Sequence, residues 1–262
     1  MSASAGAPAP RWKRVCVFVD GENFRHSLAD LFQGGKYKYR KEDYLPEANW
    51  HHFFSSLVNR SGWELVRVYW YVIGDIDFHP YRIPHDWEEK RRFLEGKGVL
   101  QRLKDQGYAV DASEQGLKVA QDELNKRKQA FRRRAEGWQK VHASIERQHD
   151  QIQFQRFGSN RYDLVSRSLG TEKGVDTQLA TDMITLSDIY DVAAVVSGDA
   201  DYIPPVSAVK NLGKLVYSVS FRTANGRKLP GGAWRLERRV DGQIEVSFER
   251  TQELLEIEEV RA

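Results

Sequence analysis

The chain carries a single cysteine, Cys16, so no intramolecular disulfide can close. Its place inside an apolar run predicts a buried structural thiol. No charge of one sign dominates: 40 Lys and Arg stand against 37 Asp and Glu, a formal charge of +3. That balance neither demands nor excludes a polyanionic partner, because the placement of charge decides the matter. No apolar stretch approaches the roughly 20 residues that cross a bilayer. Met1–Pro10 is Pro- and Ala-rich without an apolar core, so residues 1–11 read as a flexible tail rather than a signal peptide. Together these absences predict a soluble, cytoplasmic protein with no membrane partner. The histidines, among them His51, His52, His79 and His85, show neither metal-ligand spacing nor a triad, and we assign them no catalysis. No G-x-G-x-x-G follows the first apolar run, which argues against a dinucleotide-dependent dehydrogenase.

Short apolar runs alternate with helical patterns. Val15–Val19 (VCVFV) ends abruptly at Asp20-Gly21, as a strand buried on both faces of a parallel sheet does. Glu22–Phe32 reads as a helix stopped by Gly34-Gly35, and Asn49–Asn59 as a second helix. Trp63–Ile73 (WELVRVYWYVI) is the next strong strand. Asp86–Gln106 has helical spacing, and Tyr108–Ala112 reads as a weaker strand. After a polar loop, Gly158–Gly170, the pattern resumes: helix Val175–Ser187, strand Asp191–Val196, helix Tyr202–Leu212 and strand Lys214–Ser220. A loop, Asn225–Gly232, leads to Leu236–Phe248, where Asp241-Gly242 signals a hairpin, and Thr251–Val260 reads as an acidic terminal helix. Such alternation predicts an α/β, Rossmann-like parallel sheet with helices on both faces.

One stretch breaks the alternation. Glu114–Arg156 has no proline and is rich in Lys, Arg, Glu, Gln and Ala. Leu117, Leu124, Phe131, Trp138, Ile145 and Ile152 recur seven residues apart, the seam of a long helix and half of a coiled coil. At 1.5 Å per residue it would reach roughly 60 Å, with Gly137 as a weak point. The seam either packs against the protein's own surface or joins a second copy. The expected organisation is therefore a tail (1–11), one domain formed by 12–112 and 158–262, and a helical insertion (113–157).

Acidic residues stand where ligands bind in an open parallel sheet, beyond the carboxyl ends of strands. Asp20 follows the first strand, and Asp199 and Asp201, in Ser197-Gly198-Asp199-Ala200-Asp201, follow DVAAVV. Asp176 opens a helix, with Asp182 on the same helix. Taken singly, Asp20 is equally readable as a helix cap, and Asp201 reads better as a cap than as a ligand. Several carboxylates gathered together repel and are partly desolvated, so they need a cation. An all-oxygen set without a Cys/His cluster suits Mg²⁺ or Mn²⁺ rather than zinc. Such ions polarise a phosphoryl group and generate hydroxide from bound water.

Three segments, VCVFVDGENF, KGVDTQLATDMI and VAAVVSGDADYIPPV, occur in the order and setting that resemble the NYN domains, which are PIN-like nucleases. The likeness covers roughly residues 14–32 and 171–221. It implies a PIN-like sheet and a Mg²⁺- or Mn²⁺-dependent ribonuclease. By that resemblance Asp20, Asp176, Asp199 and Asp201 would hold metal and carry catalysis. Asn23 would orient Asp20 or a water, Asp182 would support or add a ligand, and Ser197 would bond a carboxylate or a substrate phosphate. The long insertion and the chain from Arg222 onward depart from the simple family pattern.

An acidic pocket needs basic flanks to hold RNA or single-stranded DNA. Lys173, Arg25 and Arg222, with Arg227 and Lys228 beside the last, are the substrate-binding candidates. The densest basic run, Lys126-Arg127-Lys128 with Arg132-Arg133-Arg134, reads either as a solvated helix face or as phosphate contacts. Trp63, Trp70 and Trp87 are expected to pack, while base stacking by Tyr37, Tyr39, Tyr44 or Trp50 is the alternative use of the rings near Lys36–Lys41. A non-catalytic RNA-binding or assembly module built on the long helix is the rival reading, and an intact acidic set disfavours it. A phosphotransferase with an aspartyl nucleophile is disfavoured too, since Glu22 stands where a second Asp is common.

Overall fold

A computed structural model describes residues 12–32, 37, 39, 44–80 and 82–259. The expected tail (1–11), the Gly34-Gly35 stop and most of the Lys36–Lys41 stretch lie outside the described residues. Two compact units form: the described parts of Met1–Val72, Ala143–Gln155 and Val175–Ala262, and those of Ile73–His142 and Arg156–Gly174. The protein is α/β with a mixed, mostly parallel sheet. No described helix is long and apolar enough to cross a membrane.

In the first unit, β1 (Lys13–Asp20) runs at the centre. The central run Val15–Val19 is fully buried, and parallel partners flank it: β2 (Trp63–His79) on one side and β5 (Val192–Val196) on the other. Cys16 is buried there as expected, and burial pushes its thiol up to about 12. β6 (Leu215–Arg222) extends the sheet parallel to β5, and β8 (Gly242–Val246) lies parallel to β6. Asp241-Gly242 is thus no hairpin turn. The Asp241 amide donates to the Val216 carbonyl, its carboxylate accepts from the Val216 amide, and the Tyr217 ring fills the space where a Cβ on Gly242 would stand. β7 (Lys228–Leu229) pairs antiparallel with the end of β6. Two helices, α1 (Gly21–Leu31) and α2 (Trp50–Leu57), pack aromatic rings onto this sheet: Phe24, Trp50, Phe53, Phe54, Trp70 and Phe221 form one cluster. Trp70 packs as expected; Trp50, 2% exposed, is core and no platform for a base.

In the second unit, α3 (Trp87–Gly96) and α4 (Val99–Asp105) replace the single expected helix, because Gly98 takes a left-handed φ of +63° between them. Tyr108–Ala112 is not a strand; Val110 instead joins a helical core with Leu94, Leu103, Leu117 and Leu124. The long helix α5 (Glu114–Gln148) runs unbroken through Gly137. It ends earlier than the heptad line implies: Ile152 begins β3 (Ile152–Asp163), which replaces part of the expected polar loop and pairs antiparallel with β4 (Ser168–Leu169). The seam residues Leu117, Leu124 and Phe131 are buried inside this unit. Leu124→Ala should therefore lower stability by ~2–5 kcal/mol, read as a drop in the denaturant midpoint at constant m-value. An unchanged midpoint would return the seam to the solvent face.

Candidate active site

The end of β1 and the end of β5 lie side by side, with Val19 paired to Val196, so Asp20 and the turn Ser197-Gly198-Asp199 meet by register alone. Asp20 is the N-cap of α1: one carboxylate oxygen accepts from the Asn23 amide at 3.1 Å. The other accepts from the Ser197 hydroxyl at 2.9 Å, and that hydroxyl takes the Asp199 amide at 3.1 Å. Ser197 is therefore the tie between the two strand ends. Asp199 in turn caps a short 3-10 turn, Ala200–Tyr202, accepting from the Asp201 amide at 2.9 Å. The cap reading and the site reading hold at once. Gly198 is required: a Cβ there would lie 2.8 Å from Pro230 and 3.1 Å from the Gly231 carbonyl oxygen.

Helix α6 (Val175–Thr185) brings Asp176 to the same place. The Tyr202 hydroxyl donates to Asp176 at 2.8 Å and lies 3.4 Å from the Asp20 carboxylate. Burial raises the Tyr202 phenol, and the charges of Asp20, Asp176 and Asp199 raise it further, so the proton stays on the hydroxyl beside the Asp176 and Asp20 carboxylates. Sequence reasoning missed Tyr202. Its signal was a polar-tipped ring directly after Asp199-Ala200-Asp201, where the ring is core and only the tip reaches the site.

Asp20 is 4% exposed. Burial pushes its carboxyl up to about 6; Asp176 adds to the rise, while hydrogen bonds from Asn23 and Ser197 oppose it. The hydrogen bonds to it come from neutral groups, which leaves a buried negative charge short of a cation. That deficit, with an all-oxygen donor set, fits a hard divalent ion seated at Asp20 and Asp176. Among the described residues no three His, Cys, Asp or Glu side chains are arranged to enclose an ion.

The remaining predicted residues fall elsewhere. Asp201 is exposed. Asp182 accepts from the Tyr71 hydroxyl at 2.9 Å and from Gln178 at 2.9 Å, fixing α6 to β2. Arg25 is paired with Glu22 at 2.8 Å, and Arg222 with Glu245 at 2.6 Å. Lys173, in the second unit, is exposed, with its backbone bridged to Ser159.

The NYN domain family model matches residues 14–230, and the chain belongs to that nuclease-like, PIN-like family. No curated protein matches the sequence. A crystal structure of a protein of unknown function from Vibrio parahaemolyticus is similar at 12% identity, covering 91% of this chain and 96% of that one, with a TM-score of 0.43. A likeness of that size carries no argument.

Proposed function

We propose that the protein is a metal-dependent endoribonuclease that hydrolyses phosphodiester bonds at the Asp20–Asp176–Asp199 cluster. The observation that supports this most is the Ser197–Asp20 hydrogen bond. It spends a buried hydroxyl on holding a buried carboxylate in one orientation beside Asp199, and a mere helix cap needs no such tie. A Mg²⁺ or Mn²⁺ ion held by Asp20 and Asp176, with Asp199 and Asp201 beside them, would supply Lewis acidity toward a phosphoryl oxygen and lower the pKa of a water. The chain's own contribution is orientation. Ser197 fixes one Asp20 oxygen and the α1 amide fixes the other. Tyr202, kept protonated, donates to Asp176 beside Asp20 and eases their repulsion. Asn23 stands beside Asp20 through its amide. No side chain is placed as a covalent nucleophile.

RNA is the proposed substrate, with single-stranded DNA as the other polyanion to test. The deciding assay incubates labelled RNA and DNA, single- and double-stranded, with Mg²⁺, Mn²⁺ or EDTA, comparing wild type with Asp199→Asn. The expected result is cleavage that needs the divalent ion and falls by at least ~100-fold in the variant. Cleavage at equal rates by both proteins, or in EDTA, would remove the aspartates from the chemistry. Salt-sensitive RNA binding without any cutting would instead favour a binding module.

A further inference from the structure

The second unit contains a cavity of about 340 Å³, within the ~300–1,000 Å³ of small-molecule sites. Helix α5 forms one wall with two rows of side chains at helical spacing. Glu123, Arg127 and Phe131 make the inner row, and Lys126, Ala130 and Arg134 the exposed rim. Ala130 leaves a gap between the two rim cations. Tyr108, Tyr162 and Arg167 complete the lining.

Arg127 is unlike the other arginines of the helix. Its side chain is 4% exposed. Nε donates to Glu123 at 2.6 Å, and Nη1 donates to the carbonyls of Leu164 at 3.1 Å and Val165 at 2.9 Å. Nη2 is buried and has no hydrogen-bond partner. A buried guanidinium nitrogen left without an acceptor is costly; Arg127 lines the cavity, while this nitrogen is itself closed to solvent. The acid in the wall is spent: Glu123 accepts from Arg127, from the Tyr108 hydroxyl at 2.7 Å and from Arg167 at 3.3 Å. Arg167 reaches it from a left-handed φ of +58°, a conformation that disfavours a residue bearing a side chain and persists where surrounding contacts hold it. Two arginines thus pair with one carboxylate, and Lys126 and Arg134 add two further cations to the lining. Beside them the Phe131 and Tyr162 rings stack with centroids 3.9 Å apart, an aromatic wall next to a charged one.

We propose that this cavity binds the phosphate and base of a nucleotide, free or as part of an RNA strand. The phosphate is flanked by Lys126, Arg134 and Arg167, with the buried Arg127 behind them, and arginine's forked geometry suits phosphate. The base lies against the Phe131–Tyr162 wall. This site is separate from the aspartates and does not depend on cleavage.

Isothermal titration of the full chain in EDTA tests it, with 5′-AMP, adenosine, inorganic phosphate and a tetraribonucleotide as probes. Wild type is compared with Ala130→Trp, which fills the gap from an exposed position, and with the double variant Lys126→Ala, Arg134→Ala. Arg127 stays untouched because it also holds backbone carbonyls. Binding of AMP or the tetranucleotide is expected to weaken by at least ~10-fold in both variants and to exceed that of adenosine and of phosphate. AMP displacing the tetranucleotide identifies a free nucleotide as sufficient, whereas failure to displace it identifies the strand. Absence of binding by every probe, or binding indifferent to both variants, overturns the proposal. Such a failure leaves cleavage by the aspartates untouched, just as an inactive Asp199→Asn protein would leave this binding intact.

Discussion

Asp20→Asn should lose at least ~100-fold of RNA cleavage and, at the same time, make the folded protein more stable at neutral pH. The two effects share one cause. The Asp20 carboxyl, ordinarily at 3.8, is pushed up to about 6 by burial, with Asp176 adding to the rise. The folded state therefore binds this proton more tightly than the unfolded chain does. Between about pH 4 and 6 the unfolded chain has released the proton and the folded one has not, so stability falls as pH rises through that window. Above it the ionised carboxylate costs about 3 kcal/mol relative to a group with no shift.

Asparagine carries no such charge and can still accept from the Asn23 amide and donate toward Ser197. Thermal melts in EDTA at pH 7.5 should then place the variant several degrees above wild type, at ~2–4 °C per kcal/mol for a chain of this size. At pH 4 the gap should close. Saturating Mn²⁺ should narrow it at pH 7.5 by stabilising wild type alone. Parallel melting curves at both pH values, with EDTA present, would mean that Asp20 is not the strained buried charge described.

What the sequence disclosed follows from how each element is buried. β1 and β5 lie between parallel neighbours and their buried stretches are apolar throughout, so VCVFV and VAAVV are legible without any periodicity. Asp20, Ser197 and Asp199 were legible because they end those runs. Where two periods coincide, the reading failed. Ile152 continues the seven-residue line of α5, yet it opens β3, in which Ile152 and Phe154 face inward by alternation. Tyr108–Ala112 looked strand-like because Tyr108 and Val110 alternate, but both serve the helical core of the second unit. Asp241-Gly242 offered turn chemistry, while the glycine is there to admit the Tyr217 ring. Tyr202 was hidden for a different reason: a hydrogen bond from a ring tip to Asp176, 26 positions away, leaves no local pattern. The basic run on α5 mixed two roles, since Lys126 and Arg134 are exposed while Arg127 is buried and bonded to carbonyls.

Gly21→Ala should both unfold the site and destabilise the protein, by about 3 kcal/mol or more. Gly21 begins α1 directly after Asp20, and its φ is not the reason for a glycine. A Cβ there would collide with the Tyr71 carbonyl oxygen and come within 3.0 Å of Val72 and 3.2 Å of the Trp70 indole nitrogen. All three belong to β2, and Tyr71 is the register partner of Asp20. The methyl cannot turn away from a backbone oxygen, so either β2 parts from β1 or the start of α1 shifts. Either movement carries Asp20 off the Ser197 hydroxyl. A displacement of ~1 Å at reacting groups costs on the order of 100-fold in rate, so cleavage by whatever folded protein remains should fall by that amount even at low temperature. Gly96→Ala is the control, since nothing lies within 4 Å of its Cβ position and it sits in helix α3; there alanine should be neutral or stabilising by ~0.5–1 kcal/mol. Denaturant midpoints and initial cleavage rates for both variants decide it. If Gly21→Ala matched Gly96→Ala in both, the close passage of β2 over the start of α1 would not be what holds Asp20 in place.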